Sequence, residues 1–140
     1  MKILNPRFWL IIFGLSNLLF GAMLYYVSES AVANLAGELG SELSDATLLL
    51  FTENMHESLG VAWAAWGAFT LAAGIRNKGA AARVPAILSA IIGLVVLAHH
   101  ASQIIADELP VGYTDVTISL VLIILLLISG ITYKERIVSG

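Results

Sequence analysis

Apolar residues gather into four long runs separated by short polar segments. The first run extends from Phe8 to Val27, the second from about Met55 to Ile75, the third from Val84 to Ala106 and the fourth from Thr114 to Tyr133. The second is rich in alanine, glycine and tryptophan rather than leucine, and the fourth contains the unbroken apolar stretch Leu120 to Ile128. A membrane-spanning helix needs about 20 mainly apolar residues, because the hydrocarbon core is about 30 Å thick and each residue rises 1.5 Å. The pattern therefore predicts an all-α polytopic membrane protein, a four-transmembrane-helix bundle forming a single integral membrane domain over residues 1–140. Lipid offers no partner for the amides of an open strand, and four such runs leave little chain for a closed barrel.

Between the first two runs, Val32, Leu35, Ala36, Leu39 and Leu43 recur at helical spacing, while Asn34, Glu38, Ser41 and Glu42 take the opposite face. This predicts an amphipathic outer segment between helices 1 and 2, lying along the membrane surface or over the mouth of the bundle. Leu48 to Phe51, after a cap at Ser44, would lengthen the second helix beyond the bilayer. Ala31-Val32-Ala33 has the form of a signal-peptidase site, but 20 apolar residues precede it. A signal core has only about 7–15, so an uncleaved anchor is expected. No internal repeat, low-complexity tract or domain boundary is expected.

Composition agrees: 59% of the 140 residues are hydrophobic and 12% charged, with a mean hydropathy of +0.89, against roughly 25% charged in soluble domains. The chain has no cysteine, which removes disulfides, thiolate metal sites and cysteine nucleophiles. A formal net charge of −3 lacks the basic surface that a nucleic-acid partner requires.

The distribution of charge sets an orientation. The basic residues Lys2, Arg7, Arg76, Lys78, Arg83, Lys134 and Arg136 all fall at one end of the predicted spans, and every acid except Glu135 falls at or near the other. The positive-inside rule then places both termini and the second loop in the cytoplasm, in a multi-pass protein of the inner membrane.

Lipid tails are as apolar as leucine, so membrane helices meet through small residues and polar contacts. Such residues form one stripe on each helix. The stripes are Leu10, Gly14, Asn17, Gly21 and Leu24; then Glu53, His56, Glu57, Gly60, Ala64, Gly67, Leu71 and Gly74; then Ser89, Gly93, Val96, His100, Gln103 and Asp107; then Asp115, Ser119, Leu122, Leu126, Ser129 and Tyr133. These faces are expected to point inward, with Asn17 and Ser129 bridging helices by hydrogen bonds. Trp63 either faces lipid or lines a cavity.

Glu57 lies 19 residues before Arg76 and His100 lies 17 after Arg83, so both stand roughly 25–29 Å above the basic boundary. Gln103, Glu53, His56, Asp107 and Asp115 come at or just above that level. Glu53, Asp107, Glu108 and Asp115 suit headgroup water, whereas Glu57, His99, His100 and Gln103 are the principal ligand-binding candidates, with His56 beside them. Three chemistries fit. Glu53 and His56 have a Glu-x-x-His spacing to which His100 would add a nitrogen for a metal, although di-iron bundles use two such motifs and a second is absent. Paired imidazoles could ligate haem, but His56 and His100 are near the outer edge. A polar site for the head of a lipid, sterol or quinone, with Glu57 and His100 as hydrogen-bonding groups, asks least of the residues. No nucleotide loop, nucleophile elbow or HExxH motif occurs, no broken repeat points to a transport path, and neither a cofactor nor a reaction is specified.

The plan resembles the small prokaryotic DoxX-like membrane proteins and their four-helix relatives. The resemblance lies in Asn5-Pro6-Arg7 leading into a helix with Gly14 and Gly21, an acidic outer segment ending in Glu53 to Gly60, then a short basic turn and two further helices. It implies a four-helix fold and, by analogy with some members, an accessory subunit of a membrane oxidoreductase; no residue role is carried over. Two functions are expected to compete. One is an accessory or scaffold protein docking other membrane subunits or a second copy; the other is a binding protein or enzyme acting on an amphiphile or metal through Glu57 and His100.

Overall fold

The computed structural model describes residues 5–30, 32–33, 46–105 and 113–134; at 46–48, 100, 103–105 and 113–115 it describes the backbone alone. Four long helices account for most of this chain: α1, Pro6–Tyr26; α2, Ala46–Arg76; α3, Arg83–Ile105; and α4, Tyr113–Thr132. Among the described residues there is no strand. Three helical stretches, Pro6–Tyr26, Leu49–Arg76 and Gly79–His99, are long and apolar enough to cross a membrane, and Val116–Thr132 is a shorter apolar helix. The fold is therefore helical and of membrane type.

Local chemistry explains the helix ends. Asn5 Oδ1 accepts a hydrogen bond from the Arg7 backbone N–H at 3.0 Å, capping a donor that has no partner within the helix, while Pro6 supplies a preset φ at the first helical position. At the far end of α2, Asn77 Nδ2 donates to Ala73 O at 2.8 Å, and Gly79 adopts φ 57°, where a side chain would be strained. A 3-10 turn, Gly79–Ala82, then leads into α3. Helix α2 begins well before Met55, so the extension expected around Leu48 to Phe51 is present. Of the expected amphipathic segment, residues 32–33 are helical and Val32 is buried; Leu35, Ala36, Leu39, Leu43 and Ser44 lie outside the described residues.

The chain divides into two compact units, one of Met1–Gly14 with Thr70–Gly140 and the other of Leu15–Phe69. In the second unit, α1 and α2 meet backbone to backbone. A Cβ added to Gly60 would stand 2.8 Å from both Gly21 O and Tyr25 N, and one added to Gly21 would collide with the backbone of Gly60 and Ala64. Phe20 packs edge-on against Trp63, with centroids 5.6 Å apart, and Trp63 lies 5.3 Å from Trp66. Trp63 is thus half-buried and packs on Phe20 of α1.

In the first unit, an arginine at the start of each outbound helix grips the end of the helix that returns beside it. Arg7 Nε donates to Gly74 O at 3.1 Å. Arg83 Nε donates to Gly130 O at 3.0 Å and its Nη2 to Ile131 O at 3.3 Å. The last carbonyls of a helix lack intrahelical donors and carry the negative end of its dipole, so a guanidinium both satisfies and neutralises them.

These two clamps share one register. A Cβ on Gly74 would meet Leu10 Cβ at 3.0 Å and Ile11 Cγ1 at 2.9 Å, side chains three and four residues after Arg7. A Cβ on Gly130 would meet Ala86 Cβ at 3.4 Å and Ile87 Cγ1 at 2.8 Å, three and four residues after Arg83. Burial follows the same rule: Pro6, Leu10, Phe13, Gly14 and Asn17 are buried at the offsets from Arg7 that Ala82, Ala86, Ser89, Ala90 and Gly93 occupy from Arg83. The returning helices match too, with Gly67, Thr70 and Gly74 buried where Ile123, Leu126 and Gly130 are. Both then continue as Gly-Ile-x-x-Lys, at Gly74 to Lys78 and at Gly130 to Lys134. The hairpins α1–α2 and α3–α4 thus repeat in contact register although their residue identities mostly differ, which hides the repeat in the sequence.

Polar side chains within the helices mostly bond to their own backbone. Ser129 Oγ donates to Leu126 O at 2.7 Å rather than to a neighbouring helix as expected, and Thr132 Oγ1 donates to Ile128 O at 2.7 Å. Thr70 Oγ1 differs, being buried with no partner among the described residues.

Overpacking at a backbone contact costs about 1–3 kcal/mol or more. Gly21→Leu should therefore lower the thermal midpoint in detergent by many degrees, while Leu19→Ala, at a site 62% exposed, should leave it nearly unchanged. Equal melting of Gly21→Leu and the parent would refute the contact.

Candidate functional site

Glu53, His56 and Glu57 are carried by the unbroken helix α2 rather than by a loop. Spacings of three and four residues put them on one face, about one turn apart. All three are half-buried, whereas Asn54, Met55 and Ser58 around them are exposed. This face continues down α2 through the buried Gly60, Gly67 and Gly74, so the titratable groups cap the glycine stripe at the end away from Arg76. Glu57 stands 19 residues before Arg76 on a continuous helix, a rise of about 28 Å.

His99, on α3, is exposed, and its carbonyl accepts a hydrogen bond from Ser102 Oγ at 2.6 Å. His100 and Gln103 have helical backbones in α3, but their side chains lie outside the described residues, as does that of Asp115; Asp107 and Glu108 lie outside altogether. Glu53, His56 and Glu57 belong to the unit Leu15–Phe69, and the three α3 residues to the other. The expected site residues are thus divided between the two units, Glu53, His56 and Glu57 on one face of α2 and His99, His100 and Gln103 on α3. Among the described residues, no group of three or more histidines, aspartates or glutamates stands close enough together to hold a metal ion. The His100 side chain, the third ligand expected beside Glu53 and His56, is outside that set.

What the α2 face can do follows from its chemistry. A carboxylate that accepts and an imidazole that donates or accepts, one turn apart and half-buried, suit a hydroxyl, carbonyl or ammonium head. The aromatic group Phe20, Trp63 and Trp66 belongs to the same unit, Trp63 lying seven residues, about two turns, after His56 on α2. Sequence reading missed this aromatic pairing and both arginine clamps. The Gly-Ile-x-x-Lys ending shared by α2 and α4 was a signal that could have revealed the clamps.

No family model, curated protein or solved structure matches the chain.

Edge-to-face aromatic pairs contribute about 0.5–1.5 kcal/mol beyond their buried area. A double-mutant cycle of Phe20→Leu and Trp63→Leu, read by thermal unfolding in detergent, should give a coupling of about 0.5 kcal/mol or more. Additive losses would show that the rings do not meet.

Proposed function

We propose that the chain is a four-span protein of the inner membrane, with both termini cytoplasmic, that serves as an accessory or scaffold subunit of a larger membrane assembly, in keeping with its resemblance to DoxX-like proteins. One observation carries this reading: α2 has two helix-packing faces. Its inward glycines Gly60, Gly67 and Gly74 are buried, yet Ser58, Ala62, Ala65 and Ala72 form a second stripe of small residues on the opposite face, and all four are exposed. Phe51 and Phe69, 62% and 71% exposed, stand above and within this stripe. Small residues let helix backbones approach closely in lipid, where hydrophobic burial gives no drive to associate. An outward face of this kind suits a helix from another subunit or a second copy of the chain.

The test is extraction from native membranes in polymer-bounded discs. The parent should migrate well above the size of a monomer, and Ala65→Phe should release it to monomer while leaving its melting in detergent unchanged. A monomeric parent, or an Ala65→Phe variant that keeps its partner, would contradict the reading. Orientation is tested separately. Because the chain lacks cysteine, single cysteines can be placed at Lys2, Lys78, Arg136 and Glu42. An impermeant thiol reagent added to intact cells should label only the one at Glu42; labelling at Lys78 would overturn the four-span arrangement.

A second reading is favoured by the half-buried Glu53, His56 and Glu57 on a rigid helix face: a binding site for the head of a lipid, sterol or quinone that uses Glu57 with His100, His99 and Gln103. Here a co-purifying amphiphile should disappear from both Glu57→Gln and His100→Ala while the fold survives. An amphiphile retained in either variant, or none in the parent, would remove this reading.

A further inference from the structure

The outward face of α2 keeps one spacing but changes chemistry along its length. Phe51, Met55, Ser58, Ala62, Ala65 and Phe69 alternate by four and three residues, and all six are exposed. They belong to a single unit, Leu15–Phe69. Alternating steps of four and three keep positions on one side of a helix and form the seam by which two helices pack at a shallow angle. The small residues Ser58, Ala62 and Ala65 hold the middle of this seam. Its end away from Arg76 has Phe51, 62% exposed, and Met55, 57% exposed, with Leu50, 59% exposed, beside them.

The change falls where the apolar layer ends. Glu57 stands about 28 Å along α2 from Arg76, close to the full thickness of the hydrocarbon. A second marker agrees. A Cβ on Gly60 would lie 2.8 Å from Tyr25 N, so the exposed Tyr25 and Tyr26 stand at this level, and tyrosines gather where membrane meets water. Phe51 is about 37 Å from Arg76 and Leu50 about 39 Å, which carries both to the water side of the headgroups. Lipid accepts an exposed phenylalanine or leucine at little cost, but water does not. Exposed apolar side chains at this height therefore call for a covering partner.

Charge selects that partner. Between Arg7 and Arg76 the sequence has no lysine or arginine, and its acids Glu29, Glu38, Glu42, Asp45, Glu53 and Glu57 all fall between Tyr26 and Gly60, where α1 gives way to α2. A second copy of the chain would set the same acids against these and be repelled, and an anionic lipid surface would be repelled as well. We propose that Leu50, Phe51 and Met55 dock a basic amphipathic helix of a different protein, one with lysines or arginines flanking an apolar face. The proposal rests on the reading of the chain as an accessory subunit and names the chemistry of its partner outside the bilayer. The apolar side chains supply the contact, and the field of the carboxylates attracts and orients the incoming helix.

The test uses the full chain in phosphatidylcholine discs and two synthetic helical peptides of the same spacing, one of leucine and lysine and one of leucine and glutamate. The lysine peptide should bind discs that hold the chain more tightly than empty discs, and the glutamate peptide should not. Salt at about 1 M, where the screening length falls to about 3 Å, should weaken the lysine peptide's binding. Phe51→Ser combined with Met55→Ser should lower its affinity about tenfold or more, while melting in detergent stays as in the parent because both sites are exposed. Ala65→Phe, aimed at the contact within the bilayer, should leave peptide binding unchanged, so failure of that contact and failure of this one are told apart. Equal binding of the lysine peptide by loaded and empty discs would assign it to lipid and overturn the proposal. Equal binding of the two peptides, or undiminished binding by the double variant, would overturn it as well. So would a disulfide-linked dimer of Phe51→Cys in native membranes, which would put a second copy on this face.

Discussion

Within a bilayer the hydrophobic effect does not draw one helix to another, because lipid is as good a solvent for leucine as the interior of the bundle. Cohesion has to come from close approach of backbones and from polar groups that cannot be left without partners. The contact at Gly21 and Gly60 supplies the first, since an added Cβ on either residue would meet backbone and not a movable side chain. The clamps by Arg7 and Arg83 supply the second by satisfying carbonyls that no helix can satisfy for itself. Nearly every other feature of the fold is arranged around these two devices. The small stripes are buried because they permit the approach, and many bulky aliphatic residues are exposed because lipid accepts them at no cost.

The duplicated register gives the molecule a modular character. Each hairpin is a rising helix that starts at a clamping arginine and a falling helix that ends on a clamped glycine. The outer parts of the hairpins are not equivalent. Gly21 and Gly60 in the first are matched in register by Leu97 and Val116 in the second, so the backbone contact of the first hairpin has no counterpart built from glycine. The first hairpin thus carries the closest helix contact and also the titratable face of Glu53, His56 and Glu57. Its returning helix bears the outward stripe of Ser58, Ala62, Ala65 and Ala72. The proposed functions concentrate on α2 for this reason, since its buried glycines, its exposed stripe of small residues and its polar end all belong to one helix.

Much of this was legible in the sequence. Leu10, Gly14, Asn17 and Gly21 are buried along the stripe that their three-and-four spacing marked out, and Ser89, Gly93, Leu126 and Ser129 are likewise buried. Spacing suffices there because a helix face is a local property. The clamps were not legible because Arg7 and Gly74 are 67 residues apart and Arg83 and Gly130 are 47 apart, and local periodicity says nothing about which helix end stands beside which. Ser129 was assigned to the right face but the wrong partner, since a serine in a helix readily turns its hydroxyl back to the preceding turn. Trp63 was left between lipid and a cavity because its place along α2 suits either, and its contact with Phe20 depends on the adjacent helix, which local spacing does not reveal. For the candidate site, the common face of Glu53, His56 and Glu57 followed from spacing, whereas any pairing with His100 depends on tertiary placement.

The most direct test of the central claim is solid-state nuclear magnetic resonance of the chain in lipid bilayers, with labelled glycine carbonyl and Cα carbons. The account predicts a through-space correlation between the Gly21 carbonyl and the Gly60 Cα that disappears in Gly60→Ala as the helices are forced apart. Absence of that correlation in the parent, with α1 and α2 both helical, would contradict it.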